Sequence, residues 1–156
     1  MRDMVIALGL SLLLASCAKD NPVSPTSDTI NSDNLRATFS ISRESYGIHD
    51  TLTAATTIYN PGGDTVTVYV PVCWPISWYK VWNSNGTTVL SYSEPHGYGC
   101  NSIGEFLIMP HQSQQIPLLD LAVPIADFDS TQGSQGRYIL KVADGLGTFS
   151  VGFAVN

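Results

Sequence analysis

Three histidines and a pair of aspartates carry the side chains that could perform catalysis or hold a metal ion. His49 falls at the entrance of a predicted strand, and His96 and His111 fall in predicted loops. The sequence has neither the Gly-x-Ser-x-Gly turn that presents a serine nucleophile nor an H-E-x-x-H zinc motif. Asp127 and Asp129 offer oxygens to Ca²⁺, but the glycine and bidentate glutamate of a calcium loop are missing. We therefore expect no enzyme activity, no metal and no cofactor.

A dense group of aromatic residues is the strongest candidate for a binding surface. Trp74, Trp78, Tyr79 and Trp82 all fall between positions 74 and 82. Because side chains of a strand alternate between its two faces, Trp78 and Trp82 share one face with Lys80. If the other face packs on the core, the paired tryptophans stand on the surface, where they can anchor a protein or a sugar. The alternative is that one of them is the buried core tryptophan of a β-sandwich.

The amino terminus has the features of an export signal. Arg2 supplies a positive charge, and an apolar run of about eleven residues extends from Met4 to Leu14. This run is too short to cross about 30 Å of hydrocarbon as a helix. It ends in Leu14-Ala15-Ser16-Cys17, which resembles the bacterial lipobox. The resemblance implies cleavage before Cys17 and attachment of fatty acids, such as palmitate, to that cysteine; an ordinary signal peptide is the alternative.

The cysteine count agrees with a lipid on Cys17. The chain has three cysteines, an odd number that is awkward in an oxidising compartment. Lipidation of Cys17 leaves Cys73 and Cys100, and outside the cytoplasm such a pair is usually a disulfide. Closing this loop would stabilise the domain by about 3 to 4 kcal/mol in the chain-entropy model. A zinc site that adds His96 and His111 is the alternative.

The predicted disulfide also bears on the binding surface. It would bring Cys73 and Trp74 against the Gly-rich segment 94–100, which contains Tyr98. Rigid loops at one end of a sandwich are where such domains usually bind their partners. We therefore take Trp74, Trp78, Trp82 and Tyr98 as candidate partner-binding residues.

Composition divides the chain into three parts. We assign residues 1–16 to the signal peptide, 17–34 to a flexible polar tether and 35–156 to one domain. The net charge of -6, without any basic run, argues against binding to nucleic acid. We expect a monomer that is held on a membrane by lipid on Cys17. Ala18, rather than aspartate, after that cysteine favours the outer membrane over the inner membrane.

The remaining pattern predicts an all-β protein. Apolar and polar residues alternate with period two, and Gly, Pro, Asn and Asp separate the runs. Asn85-Gly86 between two such runs is a strong hairpin signal. Seven to nine short strands of this kind predict an immunoglobulin-like antiparallel β-sandwich. The predicted strands span residues 36–43, 51–59, 65–70, 78–83, 87–92, 105–109, 112–118, 137–143 and 148–155.

The middle of the chain resembles the BsuPI-type proteinase inhibitor family, whose fold is an immunoglobulin-like sandwich. Asn60 ends a strand before a short turn, and the Thr- and Val-rich run 65–70 follows. The aromatic run 78–91 and Gly136-Arg-Tyr138 match later parts of the family outline. His111 stands where that outline has a glycine in a Pro-Gly-Glu turn. The resemblance covers about residues 50 to 142 and implies the sandwich fold together with proteinase inhibition.

Two functions follow as hypotheses. In the first, the protein is a membrane-anchored, non-catalytic module that binds an envelope or extracellular protein, with proteinase inhibition as one such activity. In the second, it is a carbohydrate-binding or adhesive surface domain that uses exposed tryptophans. The orientation of the strand that contains Trp78 and Trp82 separates the two readings of the aromatic cluster.

The assignment of Cys17 makes a direct prediction. When the chain is produced in a bacterium fed with an alkyne-tagged fatty acid, we expect the protein to be labelled and membrane-bound. The Cys17→Ser variant should lose the label because it lacks the thiol that accepts the lipid. Cys73→Ser is the matched control and should remain labelled. A native protein that stays unlabelled and soluble would contradict the assignment.

Overall fold

Nearly every element of this protein is a β-strand, because apolar and polar side chains alternate along the sequence with a period of two residues. The computed structural model describes residues 26–32, 34–73, 75–93, 102–128 and 135–156. Two short 3-10 turns, Pro117–Leu119 and Ile125–Asp127, accompany the strands. The strands are β1 (Ser27–Ser32), β2 (Leu35–Ile41), β3 (Ser45–Tyr46), β4 (Thr51–Tyr59), β5 (Val66–Pro71), β6 (Ile76–Asn83), β7 (Thr88–Ser93), β8 (Ile103–Ile108), β9 (Ser113–Gln115), β10 (Leu121–Pro124), β11 (Gly136–Asp144) and β12 (Gly147–Val155).

The strands form an all-β sandwich, as the sequence predicted. One sheet has the order β1-β2-β4-β10, and β9 pairs with the same edge of β4 further along that strand. The second sheet has the order β3-β12-β11-β6-β7, and β5 pairs with β8 in a separate two-stranded ribbon. Every ladder is antiparallel except the short parallel contact between β3 and β12. The described part of the chain has no helix that could span a bilayer.

The core lies between the two larger sheets. Leu52 and Ile58 of β4 face Leu140 of β11 and Phe149 of β12, and all four side chains are fully buried. Phe39 of β2 stacks on Phe149 with ring centroids 5.6 Å apart, which joins the two sheets directly. Full burial of each such side chain contributes about 1.5 to 3 kcal/mol, so the sandwich depends on these facing rows.

Asn60 connects the β5–β8 ribbon to the first sheet. Its side chain is fully buried at the end of β4. The Nδ2 group donates to the carbonyls of Asp64, at 2.7 Å, and Ile108, at 3.0 Å, while Oδ1 accepts from the N–H of Gly62 at 2.9 Å. Its main chain also accepts from His111 N–H at 2.8 Å. The side chain of Asn60 thus forms hydrogen bonds with main-chain groups both in the turn after β4 and at the end of β8.

The predicted boundary of the tether was wrong. Residues 27–32 form β1, which pairs with β2 along its whole length. The polar composition of β1 gave no strand pattern, because the strand is stabilised by main-chain hydrogen bonds to β2 and by two side-chain contacts rather than by a row of apolar residues. Ile30 packs closely against Gly147, and Asp28 Oδ2 accepts from Ser150 N–H at 2.8 Å. Residues 17–25 of the predicted tether lie outside the described residues.

The predicted number of strands was too low. The described residues contain twelve strands rather than seven to nine. The additional ones are β1 and two short strands, β3 of two residues and β10 of four residues. Such strands carry too few alternations to stand out in a sequence. The run predicted as a strand at 112–118 instead divides into β9 and a 3-10 turn, because Pro117 cannot donate to a ladder.

The predicted hairpin between β6 and β7 is confirmed, with a different turn. Asn83 N–H donates to Thr87 O, and Gly86 N–H donates to Asn83 O, both at 3.0 Å. Only Gly86 takes a positive φ, of 79°, whereas Asn85 does not. This is the three-residue loop in which a turn is followed by a left-handed glycine.

The turn after β8 places His111 in a left-handed conformation. His111 has a φ of 55°, and Gln112 N–H donates to Met109 O at 3.2 Å. Pro110 precedes it, so the turn has the proline and positive-φ signature that normally selects glycine. The backbone of His111 therefore has the left-handed conformation that glycine adopts most readily.

Asn60→Ala should lower the free energy of unfolding by about 3 kcal/mol, because it removes three hydrogen bonds between a buried side chain and main-chain groups of Gly62, Asp64 and Ile108. The measurement is urea denaturation. Asn83→Ala is the matched control, since Asn83 Oδ1 also accepts two main-chain N–H groups, but in a solvent-accessible turn. We expect it to cost about 1 kcal/mol. Equal losses in the two variants would contradict the role of Asn60.

His111→Gly should raise the free energy of unfolding by about 0.5 to 1 kcal/mol. The substitution relieves the left-handed backbone, and this gain exceeds the added entropy of the unfolded chain. His49 is exposed and has no positive φ, so His49→Gly should instead be destabilising and serves as the control. A loss of stability in His111→Gly would show that the turn is not strained.

Candidate binding surfaces

The strand with the predicted aromatic site turns its tryptophans away from the core. In β6, Val81 is 1% exposed, and Tyr79 packs against the core. Trp78 and Trp82 lie on the opposite face and are half-buried, and Lys80 between them is exposed. Neither Trp78 nor Trp82 is a buried core tryptophan, which was the alternative to a position on the surface.

An aromatic face therefore lies on the outer side of the second sheet, and we define it by Trp78, Lys80, Trp82, Ile139 and Lys141. The ladder between β6 and β11 sets Trp82 opposite Ile139 and Lys80 opposite Lys141. The ammonium group of Lys141 lies 5.5 Å from the centre of a Trp82 ring. Ile139 is 38% exposed, so the face offers apolar as well as charged surface.

On the inner side of β6 lies Tyr79, a tyrosine whose phenol has a raised pKa. Tyr79 stacks on Tyr92 of β7 with ring centroids 5.1 Å apart. Burial raises the pKa of Tyr79, and repulsion from Tyr92 and Asp127 raises it further. The phenol therefore stays protonated at neutral pH and acts as a packing group in the sandwich.

A second surface, which sequence reasoning missed, lies on the β5–β8 ribbon. Val68, Val70 and Ile108 face the core. Around the exposed Glu105, which lies opposite Tyr69, the other large exposed side chains on the ribbon and at its ends are apolar, and we call these apolar residues the apolar ribbon. Its members and their exposed fractions are Tyr69 (64%), Ile103 (64%), Leu107 (57%), Met109 (50%) and Val72 (42%).

The sequence did contain a signal for this surface. β8 reads Ile-Gly-Glu-Phe-Leu-Ile, with large apolar residues at both odd and even positions. Such a strand cannot bury both faces unless a layer covers each of them. In the described residues only the inner face is covered, by Phe106 and Ile108 packing on the core.

One edge of the apolar ribbon is open for hydrogen bonding. Val72 N–H donates to Ser102 O at 3.0 Å, which continues the ladder with β8. In an antiparallel ladder, alternate residues bond to the same partner, so Thr67 and Tyr69 direct their N–H and C=O groups toward the other edge. Within the ranges that the structure describes, no strand pairs with that edge.

A cleft of about 340 Å³ runs beside this open edge. Consecutive residues 66–69 of β5 line one side, and Ile30, Leu35 and Ile58 of the first sheet line the other. The β11–β12 turn, through Leu146, closes the end of the cleft. In that turn burial raises the pKa of Asp144, although N–H groups of Leu146 and Gly147 donate to its carboxylate.

We next consider the catalytic and metal-binding candidates that the structure describes. His49 and His111 are exposed, and Asp50 forms an ion pair with Arg43 at 3.2 Å. Among the described residues, no three His, Cys, Asp or Glu side chains are grouped so that they could hold a metal ion.

Several predicted site residues fall outside the described residues. Cys73 is described, and it is exposed just after β5. The pairing of β5 with β8 continues to Val72 and Ser102, next to Cys73 in the sequence. The disulfide, the rim loop and the lipidation site stay predictions. The residues concerned that lie outside the described ranges are Cys17, Trp74, His96, Tyr98, Cys100 and Asp129.

The similarity of this chain to known proteins is distant. No protein-family model matches the chain, and no curated protein matches it. Among solved structures, a β-glucosidase from Erythrobacter marinus is 12% identical with a TM-score of 0.45, over 82% of this chain and 16% of that one. A β-glucosidase from Listeria innocua is 9% identical with a TM-score of 0.42, over 81% and 17%.

A DNA glycosylase from Pseudomonas fluorescens is 12% identical with a TM-score of 0.41, over 74% of this chain and 28% of that one. This chain thus spans less than a third of the length of each of these three proteins. The fold of this chain is an all-β sandwich.

Proposed function

We propose that this protein is a lipid-anchored, extracytoplasmic binding module whose sandwich holds a protein partner at the β5–β8 ribbon. The observation that carries the proposal is the apolar ribbon. Large exposed apolar patches on soluble domains commonly mark protein interaction sites. Tyr69, Ile103 and Leu107 lie on the two strands, and Val72 and Met109 directly follow them, so one partner can contact all five side chains.

The open edge of β5 supports a specific way of binding. An extended segment of the partner adds to the main chain of Thr67 and Tyr69, as in strand addition to an exposed sheet edge. Its alternate side chains enter the cleft of about 340 Å³ beside that edge. Pro71 ends the edge, because it has no N–H to offer, and so limits the added strand to a few residues.

The position of the ribbon agrees with an anchor at the amino terminus. The described chain begins at Thr26, whose carbonyl accepts from Ile41 N–H at 3.0 Å, beside Ala54 of β4. Asn60, which holds the ribbon, lies six residues further along β4, or about 20 Å away in extended chain. A lipid on Cys17 would therefore lead into the domain near Ala54, at the opposite end of β4 from Asn60.

The test is capture of partners from an envelope extract by the purified protein, read out by cross-linking and mass spectrometry. Thr67→Pro removes an N–H group that points away from β8, so it blocks strand addition and leaves the β5–β8 ladder intact. We expect this variant to lose the captured protein. Thr67→Ala changes the side chain alone and should retain it.

A second variant tests the apolar ribbon itself. Leu107→Glu places a charge in the patch and should weaken capture at least tenfold. Ala122→Glu makes an equally exposed change on the first sheet and should have no effect. Capture of the same protein by Thr67→Pro and Leu107→Glu would contradict the proposal. A protease panel run with the native protein tests the inhibition that the BsuPI-type resemblance implies.

A further inference from the structure

The aromatic face has a charge that sets it apart from the rest of the molecule. The chain carries 7 Lys and Arg and 13 Asp and Glu. Lys80, Arg137 and Lys141 all occupy outward positions of the adjacent strands β6 and β11. No Asp or Glu takes an outward position on the described parts of these two strands. An acidic protein therefore gathers scarce cations on one sheet face.

The arrangement of the two lysines is costly in the absence of an anion. Lys80 and Lys141 are directly opposite each other in the ladder, and like charges in such cross-strand pairs are destabilising. Their other neighbours in the same row are Ser91 of β7 and Ser150 of β12, which carry no charge. Arg43–Asp50 is the ion pair of the described residues, and it lies elsewhere.

Asp28 of β1 contacts this row through Ser150. Its two carboxylate oxygens accept main-chain N–H groups, from Thr29 at 2.8 Å and from Ser150 at 2.8 Å. The carboxylate is thus engaged at the edge of the sheet by β12. The ammonium groups of Lys80 and Lys141 are left to solvent and, for Lys141, to the ring of Trp82.

The tryptophans add a second kind of contact. Trp78 and Trp82 are four residues apart on one strand, which separates them by about 13 Å. Lys80 lies between them, so the face repeats an aromatic, a cationic and an aromatic position along β6. Ring faces suit the C–H faces of sugar rings, whereas the cations suit carboxylate or sulfate groups.

We propose that the aromatic face is a binding site for an anionic polysaccharide, with Trp78 and Trp82 stacking on sugar rings and Lys80 and Lys141 binding their acidic groups. The chain of sugars lies along β6. Bound acidic groups neutralise the opposed lysines, so occupation of the site relieves the repulsion that the free face carries. This site is separate from the protein site proposed on β5 and β8.

The experiment is calorimetric titration of the purified protein with oligomers of polygalacturonate, a linear chain of uronic acids. The fully methyl-esterified oligomer has the same backbone without the charge. Poly-L-glutamate supplies the charge without sugar rings. We expect binding of polygalacturonate that weakens with added salt, and at least tenfold weaker binding of both comparison ligands.

Variants locate the site. The double variant Lys80→Gln and Lys141→Gln should weaken polygalacturonate binding at least tenfold, and Trp82→Ala at least fivefold. Arg36 is the matched control, because it also lies near an aromatic ring, 5.8 Å from that of Tyr59, but on the first sheet. Arg36→Gln should bind within twofold of the native protein. Thermal denaturation checks that each variant is folded.

Four results would overturn the proposal, and the first three concern polygalacturonate itself. They are absence of polygalacturonate binding, equal binding of the esterified oligomer, and unchanged affinity in the lysine and Trp82 variants. Equal binding of poly-L-glutamate would also overturn it and would assign the face to acidic proteins. None of these results concerns Thr67 or Leu107, so the protein site on β5 and β8 is tested independently by the capture experiment.

Discussion

The buried side chain of Asn60 is the interaction on which the arrangement of this sandwich depends. Two larger sheets can enclose a core without the β5–β8 ribbon, but the ribbon by itself is only two strands. An isolated two-stranded ribbon is marginal in water. Asn60 offers two donors and one acceptor, and all of them meet main-chain groups of the turn after β4 and of the end of β8. No apolar side chain could make this connection, because it would leave those groups unpaired.

This attachment explains how one element can be apolar on both faces. The inner face of the ribbon is held on the core by Val68, Val70 and Ile108. The outer face is then fixed in place with Tyr69 and Leu107 exposed. A surface that is rigid before binding loses less conformational entropy when a partner arrives. The same sandwich carries the aromatic face on another sheet, so the molecule has two surfaces of different chemistry, one apolar and one basic and aromatic.

Much of the fold could be predicted from the sequence, because long alternating runs have a single period. β4, β11 and β12 lie within a residue of their predicted bounds. β1 could not be predicted, since its Ser, Thr and Asp composition is that of a tether and its energy comes from pairing with β2. Sheet order was also out of reach, because alternation says which face of a strand is buried but not which strand lies beside it.

The binding surfaces were predicted only in part. The sequence placed Trp78, Lys80 and Trp82 on one face of β6, but period-two alternation is symmetric and could not say which face is buried. The core contact of Val81 decides that question. Leu107 fell within a predicted strand and Ile103 just before it, and neither was singled out as a surface residue, because their exposure depends on the absence of a covering layer in the described structure. His111 was recognised as a departure from glycine, and its positive φ gives that departure a physical meaning.

Amide hydrogen exchange measured by NMR tests the central claim most directly. If Asn60 holds the ribbon on the sandwich, its side-chain amide and the main-chain amides of Val68 and Ile108 should exchange only through global unfolding. Their exchange free energies should then equal those of Leu140 and Val142 in the core. Rapid exchange in the ribbon, while the core amides remain protected, would show that the ribbon opens independently, and it would contradict the account.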